Sequence, residues 1–178
     1  MVTTTPHADH AERRIIALAF GSERDAQRAM RAAFWLQDRQ RLTIHDAAFV
    51  TRLADGTVSV AETTDPTPVA AAIPTSLFGA LVGTLVAGPI GFLIGGVLGG
   101  GGGALVAKLV DVGIPHRVIA ELRELTRPGQ TVLALLVSDV AGTVVDDLRR
   151  FRGAQVVYTP VPAAALDAVR GALTKHEP

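Results

Sequence analysis

The sequence lacks cysteine, has few aromatic residues and carries no net charge. Without cysteine, disulfides, thiolate nucleophiles and zinc–thiolate sites are excluded. Lysine plus arginine and aspartate plus glutamate both number 17, and this balance argues against a general nucleic-acid-binding protein, which needs a basic excess. The same balance favours self-association, because little charge repulsion keeps copies of the chain apart.

A long segment without any charged residue extends from Leu77 to Ala107. Glycine recurs in it at every fourth position, in two sets: Gly79 and Gly83, then Gly91, Gly95, Gly99 and Gly103. Gly88 and Pro89 interrupt the segment near its middle. The pattern predicts a glycine-zipper apolar helical hairpin over residues 77–110, with Gly88 and Pro89 at the turn.

Glycine makes such a hairpin depend on its neighbours. In a helix interior it costs about 1 kcal/mol relative to alanine, so an isolated hairpin of this composition would not be helical in water. Glycine also lets two helix backbones approach closely, and repeats of small residues four apart are typical of helix–helix contacts. The regularly spaced glycines are therefore the candidate self-association residues.

The hairpin must be covered by lipid, by a partner chain or by the rest of the protein. Its arms barely reach the length of about 20 apolar residues that a membrane span needs. The aromatic belt expected at a lipid interface is also missing. The sequence is compatible with insertion of the hairpin into a bilayer and with its burial in the core of a soluble oligomer. In both cases the glycines mediate self-association.

The segments on either side of the hairpin predict an α+β fold. The apolar runs Ile15–Phe20 and Thr131–Val137 are typical of strands buried on both faces. An amphipathic helix and another strand follow each run, which fits a ferredoxin-like split βαβ sheet of about five strands with the hairpin inserted. The two apolar strands should be central and antiparallel, flanked by Ile44–Leu53 and Ala154–Thr159, with Thr57–Glu62 at one edge.

This interpretation divides the chain into five parts. They are a disordered tail (1–13), a first βαβ unit with an edge strand (14–63), a linker (64–76), the hairpin (77–110), and a helix followed by the second βαβ unit and a C-terminal helix (111–178). The N-terminus has no apolar stretch typical of a secretory signal. We therefore expect either an inner-membrane protein with a cytoplasmic domain or a cytoplasmic soluble multimer.

No combination of residues predicts catalysis, a cofactor or a metal. His45 beside Asp46, and Asp111 near His116, do not supply the three or four ligands that a metal site needs. Ser138 follows a predicted central strand, as Ser22 does, but neither has the glycine pattern of a nucleophile elbow. The glycine run ending at residue 103 is not followed by the Gly-Lys-Ser/Thr of a phosphate loop.

Several segments together resemble a known family. They are the opening strand IIALAF, the segment DAAFVTRLADGTVSV, the apolar hairpin broken by Gly-Pro, and DVGIPHRVIAELRELTRPGQTVLALLV. Over roughly Ile15 to Leu173 the chain resembles the bacterial family catalogued as domain of unknown function 1269, whose members are often labelled membrane proteins. That family has no established catalytic residues, so the resemblance implies none here.

The sequence thus predicts a non-enzymatic protein that assembles with itself through the hairpin, at the cytoplasmic face of a membrane. One alternative is a soluble multimer with the hairpin buried in its core. Another is a ligand-binding regulatory domain that uses the open face of the sheet, and it requires a pocket with convergent polar groups near Ser138 or His45.

Overall fold

The computed structural model of the chain describes residues 12–56, 58–62, 77–94, 102–149 and 155–174. The strands are β1 (Arg14–Phe20), β2 (Thr43–Arg52), β3 (Val58–Glu62), β4 (Thr131–Ser138) and β5 (Gln155–Pro160). The helices are α1 (Glu23–Asp38), α2 (Leu77–Ile94), α3 (Gly102–Asp111), α4 (His116–Leu125), α5 (Val144–Arg149) and α6 (Ala163–Thr174). The predicted tail up to residue 11, the predicted linker over 64–76, and Gly95 and Gly99 lie outside the described residues.

The five strands form one antiparallel sheet in the order β3-β2-β4-β1-β5. The two apolar runs are neighbours at its centre, where Ile16 lies opposite Leu135. All residues of β4 are buried, which explains why its sequence does not alternate between apolar and polar side chains. The predicted five-strand sheet, with these two strands at its centre, is therefore confirmed.

Helices cover both faces of the sheet, so that the described residues form three layers. Side chains alternate between the faces along each strand. Ile16 and Leu18 of β1 point to the layer of α1 and α5, whereas Ile15 and Ala17 point to the layer of α2, α3, α4 and α6. The layer of α2, α3, α4 and α6, which we call the second layer, covers a sheet face that would have to be open for the ligand-binding alternative.

The first helix forms as its sequence pattern predicts. Ser22 caps it: its hydroxyl oxygen accepts the backbone N–H of Asp25 at 3.2 Å and donates to the Asp25 carboxylate at 2.8 Å. The inward face carries the predicted apolar residues, which are Ala26, Ala29, Met30, Ala33 and Leu36. α1 thus packs on the sheet by small residues and leaves its other face exposed.

The predicted turn at Gly88 and Pro89 is wrong. Helix α2 continues from Leu77 to Ile94 and includes both residues, and α3 begins only at Gly102. Proline normally interrupts a helix because it lacks the N–H that would bond to the carbonyl four residues earlier. Here two arginines from other elements donate to the helix carbonyls beside that gap, at Leu85 and Val86, so the helix can continue.

Among the helices of the described ranges, none is both long enough and apolar enough to cross a membrane.

Candidate functional site

The first half of α2 lies in the core of the domain. Phe78, Leu81 and Leu85 are at most 1% exposed and pack against the sheet and the neighbouring helices. Val82 and Val86 are buried as well, so apolar contacts surround this part of the helix. The beginning of the charge-free segment is therefore covered by the rest of the protein.

Glycine in this half of α2 allows close packing within the chain. A Cβ atom built on Gly83 would lie 3.3 Å from Cγ2 of Val60, which is tighter than an ordinary contact. The absence of a side chain at Gly83 thus brings α2 close to β3, an edge strand of the same chain. Gly79, one turn earlier, is also buried.

The last glycine of the series lies in a different environment. Gly103, at the start of α3, is exposed, and a Cβ atom built on it would meet none of the described residues within 4 Å. Ala104 and Ala107 are exposed too, whereas Leu105 and Leu109 on the other side of α3 are buried in the core. We call Gly103, Ala104 and Ala107 the small-residue face of α3. Gly91 lies within α2, and its surroundings are outside the described side chains.

Two arginines donate hydrogen bonds to α2 at the end of its buried half. Nε of Arg123, on α4, donates to the carbonyl oxygen of Leu85 at 3.1 Å. Nη2 of Arg52, at the end of β2, donates to the carbonyl oxygen of Val86 at 3.3 Å, and its Nε donates to the carbonyl oxygen of Thr126 at 2.7 Å. We call Arg52 and Arg123 the arginine clamp.

The position of the arginine clamp follows from the proline. In a regular α-helix the N–H of residue 89 would donate to the carbonyl of Leu85, and Pro89 has no N–H to give. A carbonyl without a partner costs free energy when it is removed from water, and a guanidinium donor supplies the missing hydrogen bond. Nothing in the local sequence around Pro89 indicated these donors, since they come from distant segments.

A second polar cluster lies at the opposite end of the sheet. Nε2 of His45 lies 2.8 Å from Oγ of Ser138, whose hydroxyl donates to the Asp139 carboxylate at 2.7 Å. The hydroxyl of Thr43 donates to the same carboxylate at 3.1 Å. The register between β2 and β4 shifts around His45, and this irregularity gives the histidine its position.

The hydrogen bonds of this cluster do not form a nucleophilic triad. Because Ser138 gives its proton to Asp139, His45 must donate to Ser138 and cannot act as its general base. Ser138 is also only 1% exposed, which keeps a substrate from its hydroxyl. The interactions instead connect the start of β2 with the end of β4. The structure thus brings together His45 and Ser138, which the sequence singled out, and their contact has a structural role.

The other singled-out acidic residues do not converge. Asp46 accepts its neighbour's backbone N–H, from Ala47, at 2.8 Å. Over the part of the chain that the structure describes, no group of three or more histidine, aspartate and glutamate side chains could hold a metal ion.

A polar cleft of about 280 Å³ lies at the end of the sheet away from His45 and Ser138. Its lining includes Asp25, Arg127, Gln130 and Gln155. The side-chain oxygen of Gln130 is buried and has no hydrogen-bond partner among the described residues. Such an acceptor is uncommon in a folded protein and needs an explanation.

Together these features define an antiparallel α/β domain that holds the start of a glycine-rich apolar segment in its core. The family model described as protein of unknown function (DUF1269) matches residues 72–175. This match covers more than half of the chain, and the protein belongs to that family. No curated protein and no solved structure matches the chain.

Proposed function

We propose that the protein is a non-enzymatic, homo-oligomerising protein in which the distal part of the glycine-rich segment, residues 87–107, joins copies of the chain. The domain around it has a ferredoxin-like topology in this proposal. The strand order β2-β4-β1-β5 supports this, because the β1-α1-β2 and β4-α5-β5 units then interleave with their first strands at the centre.

The observation that carries the proposal is the exposed small-residue face of α3. Gly103 and Ala107 are four residues apart and continue the spacing of Gly91, Gly95 and Gly99. Small residues at this spacing let a second helix approach closely. Within the described residues the neighbour of Gly83 is a strand of the same chain, whereas at Gly103 the space beside the helix is open and can receive a second copy.

The burial of α2 favours a protein neighbour over lipid. Residues such as Leu81 and Leu85 contribute to the domain core and cannot face a bilayer while the domain is folded. The buried part of α2 takes up about ten residues of the first arm, whereas a membrane span needs about 20 apolar residues. We therefore propose a multimer on the cytoplasmic side whose glycine contacts are between protein chains, with membrane association as the alternative.

Exchanging Gly103 for leucine should abolish this assembly and leave the domain folded. A side chain at this position meets none of the described residues but would separate two closely packed helices. The measurement is molar mass by size-exclusion chromatography with light scattering, compared with the monomer mass of 18.6 kDa.

The matched control is Gly171→Leu. Gly171 is also a helical glycine, and a Cβ atom built on it would meet none of the described residues within 4 Å, but it lies in α6 and is not part of the glycine series. The proposal requires that Gly171→Leu keeps the wild-type mass and Gly103→Leu does not. A monomeric wild type, or equal masses for the two variants, would contradict it.

The second candidate function is binding of a small polar ligand in the cleft beside Gln130. The observation in its favour is the unpartnered oxygen of Gln130, together with Arg127, whose guanidinium makes no ion pair with the described part of the chain. Functional sites often retain such groups at a cost in stability.

We expect Gln130→Leu to raise the free energy of unfolding by about 1 kcal/mol, because it removes a buried acceptor without a partner. Urea unfolding monitored by circular dichroism measures the change. A clear loss of stability would show that the glutamine oxygen already has a partner and would remove the support for a ligand site. Gln27→Leu, on the exposed face of α1, is the control and should change stability by less than about 0.5 kcal/mol.

A further inference from the structure

The outer face of α1 exposes an unusual group of side chains. Phe34 is 44% exposed and Trp35 is 52% exposed, and Trp35 is the only tryptophan of the chain. Arg31 and Asp38 are exposed on the same face, because positions 31, 34, 35 and 38 have the spacing of one helical side. We call these four residues the α1 patch.

Trp35 is held in place on this surface. The guanidinium carbon of Arg39 lies 3.9 Å from the centre of the Trp35 ring, which is a cation–π contact. An aromatic side chain that is already ordered loses little conformational entropy when it enters an interface. Tryptophan is also among the residues that contribute most to protein–protein binding.

The charges of the α1 patch have no partners among the residues that the structure describes. Near the start of the same helix Arg28 pairs with Asp25 at 3.1 Å, and Gln27 donates to Glu23 at 3.0 Å. Arg31 and Asp38, by contrast, form no ion pair or side-chain hydrogen bond with any residue that the structure describes. The patch therefore has two apolar rings between one free positive and one free negative charge.

This pattern is complementary to itself. When two copies of a helix pack antiparallel around a two-fold axis, residue i of one copy contacts residue j of the other, and j contacts i. An axis between Phe34 and Trp35 places each Phe34 against the other copy's Trp35. The same axis places each Arg31 against the other copy's Asp38, so both ion pairs form in one arrangement.

We propose that the α1 patch is a symmetric interface between two copies of this chain. It is separate from the contact proposed for the glycine segment, because α1 covers one face of the sheet and α2 and α3 lie on the other. One helix pair buries a small area, which is typical of a weak, reversible dimer. Two symmetric contacts on opposite sides of the domain can join dimers into a larger assembly.

Charge reversal tests this arrangement. Arg31→Asp places two aspartates against each other in a homodimer, and Asp38→Arg places two arginines against each other. We expect each variant alone to dimerise through the patch at least about tenfold more weakly than the wild type. An equal mixture of the two variants should recover wild-type affinity, because each copy then meets the opposite charge at both positions.

The emission of Trp35 reports this contact by itself, since no other tryptophan contributes. All measurements are made on full-length chains carrying Gly103→Leu, with light scattering recorded on the same samples. We expect the emission maximum to shift to shorter wavelength as the protein concentration rises, and the shift to be lost in each single variant and recovered in the mixture. Loss of the glycine contact alone lowers the mass of the assembly and leaves this concentration-dependent shift intact.

Three outcomes would overturn the proposal. The first is an emission maximum that does not change with protein concentration. The second is a mixture that associates no better than the separate variants. The third is a shift that appears only when vesicles of zwitterionic and anionic phospholipid are added, which would assign the patch to a lipid surface. Arg24→Asp, a charge reversal elsewhere on α1, is the control and should leave the shift unchanged.

Discussion

Replacing Leu81 by alanine should lower the free energy of unfolding by about 3 kcal/mol or more. Leu81 is fully buried between the sheet and the helices of the second layer, and its removal leaves a cavity in a region that cannot easily collapse. The measurement is urea unfolding of the variant and the wild type at equal protein concentration.

The control is Leu53→Ala. Leu53 is a leucine directly after β2 with 46% of its surface exposed, and its loss should cost less than about 0.5 kcal/mol. Equal, small effects for both substitutions would mean that α2 faces lipid or solvent rather than the domain core. The comparison therefore decides what covers the first half of the glycine-rich segment.

Replacing Arg123 by methionine should cost about 1–2 kcal/mol, because the carbonyl of Leu85 then loses its only side-chain donor among the described residues. Methionine keeps most of the length of the side chain and removes the guanidinium. Arg117→Met, on the same helix but without a hydrogen bond to α2, is the matched control and should have an effect close to zero.

The role of proline can be isolated by a double-mutant cycle. Pro89→Ala returns a backbone N–H to the position from which it can donate to Leu85. In that background we expect Arg123→Met to cost less than about 0.5 kcal/mol, so that the two sites are coupled by about 1 kcal/mol or more. Independent, additive effects would show that Arg123 does not substitute for the missing donor.

Much of the fold could be predicted because its elements are locally consistent. The apolar runs around Ile16 and Leu135 have no polar residue within them and therefore belong at the centre of a sheet. α1 combines an N-cap serine with a regular apolar face, and both features act within a few residues along the chain.

The end of the first hairpin arm could not be predicted in this way. Gly88 and Pro89 are strong local signals for a turn, but their effect depends on what lies beside them. Arg52 and Arg123 are 37 and 34 residues away from Pro89 and reach α2 through the tertiary fold. A local rule was therefore overruled by tertiary hydrogen bonds.

The same limit applies to the candidate sites. Sequence spacing identified Gly83 and Gly103 alike as candidate self-association residues, yet Gly83 packs against β3, whereas none of the described residues lies against Gly103. His45 and Ser138 meet because the register shifts in β2, and no periodic pattern indicates that shift. Whether a small residue or a polar side chain is buried within the chain depends on contacts between distant segments.

The most direct measurement is the molar mass of the wild-type chain in buffer without detergent and again with a mild detergent. We expect a soluble oligomer well above 18.6 kDa whose mass is the same in both, because the proposed assembly covers the glycine-rich segment with protein contacts. A chain that stays in solution only with detergent, or that is monomeric in both, would contradict the proposed assembly.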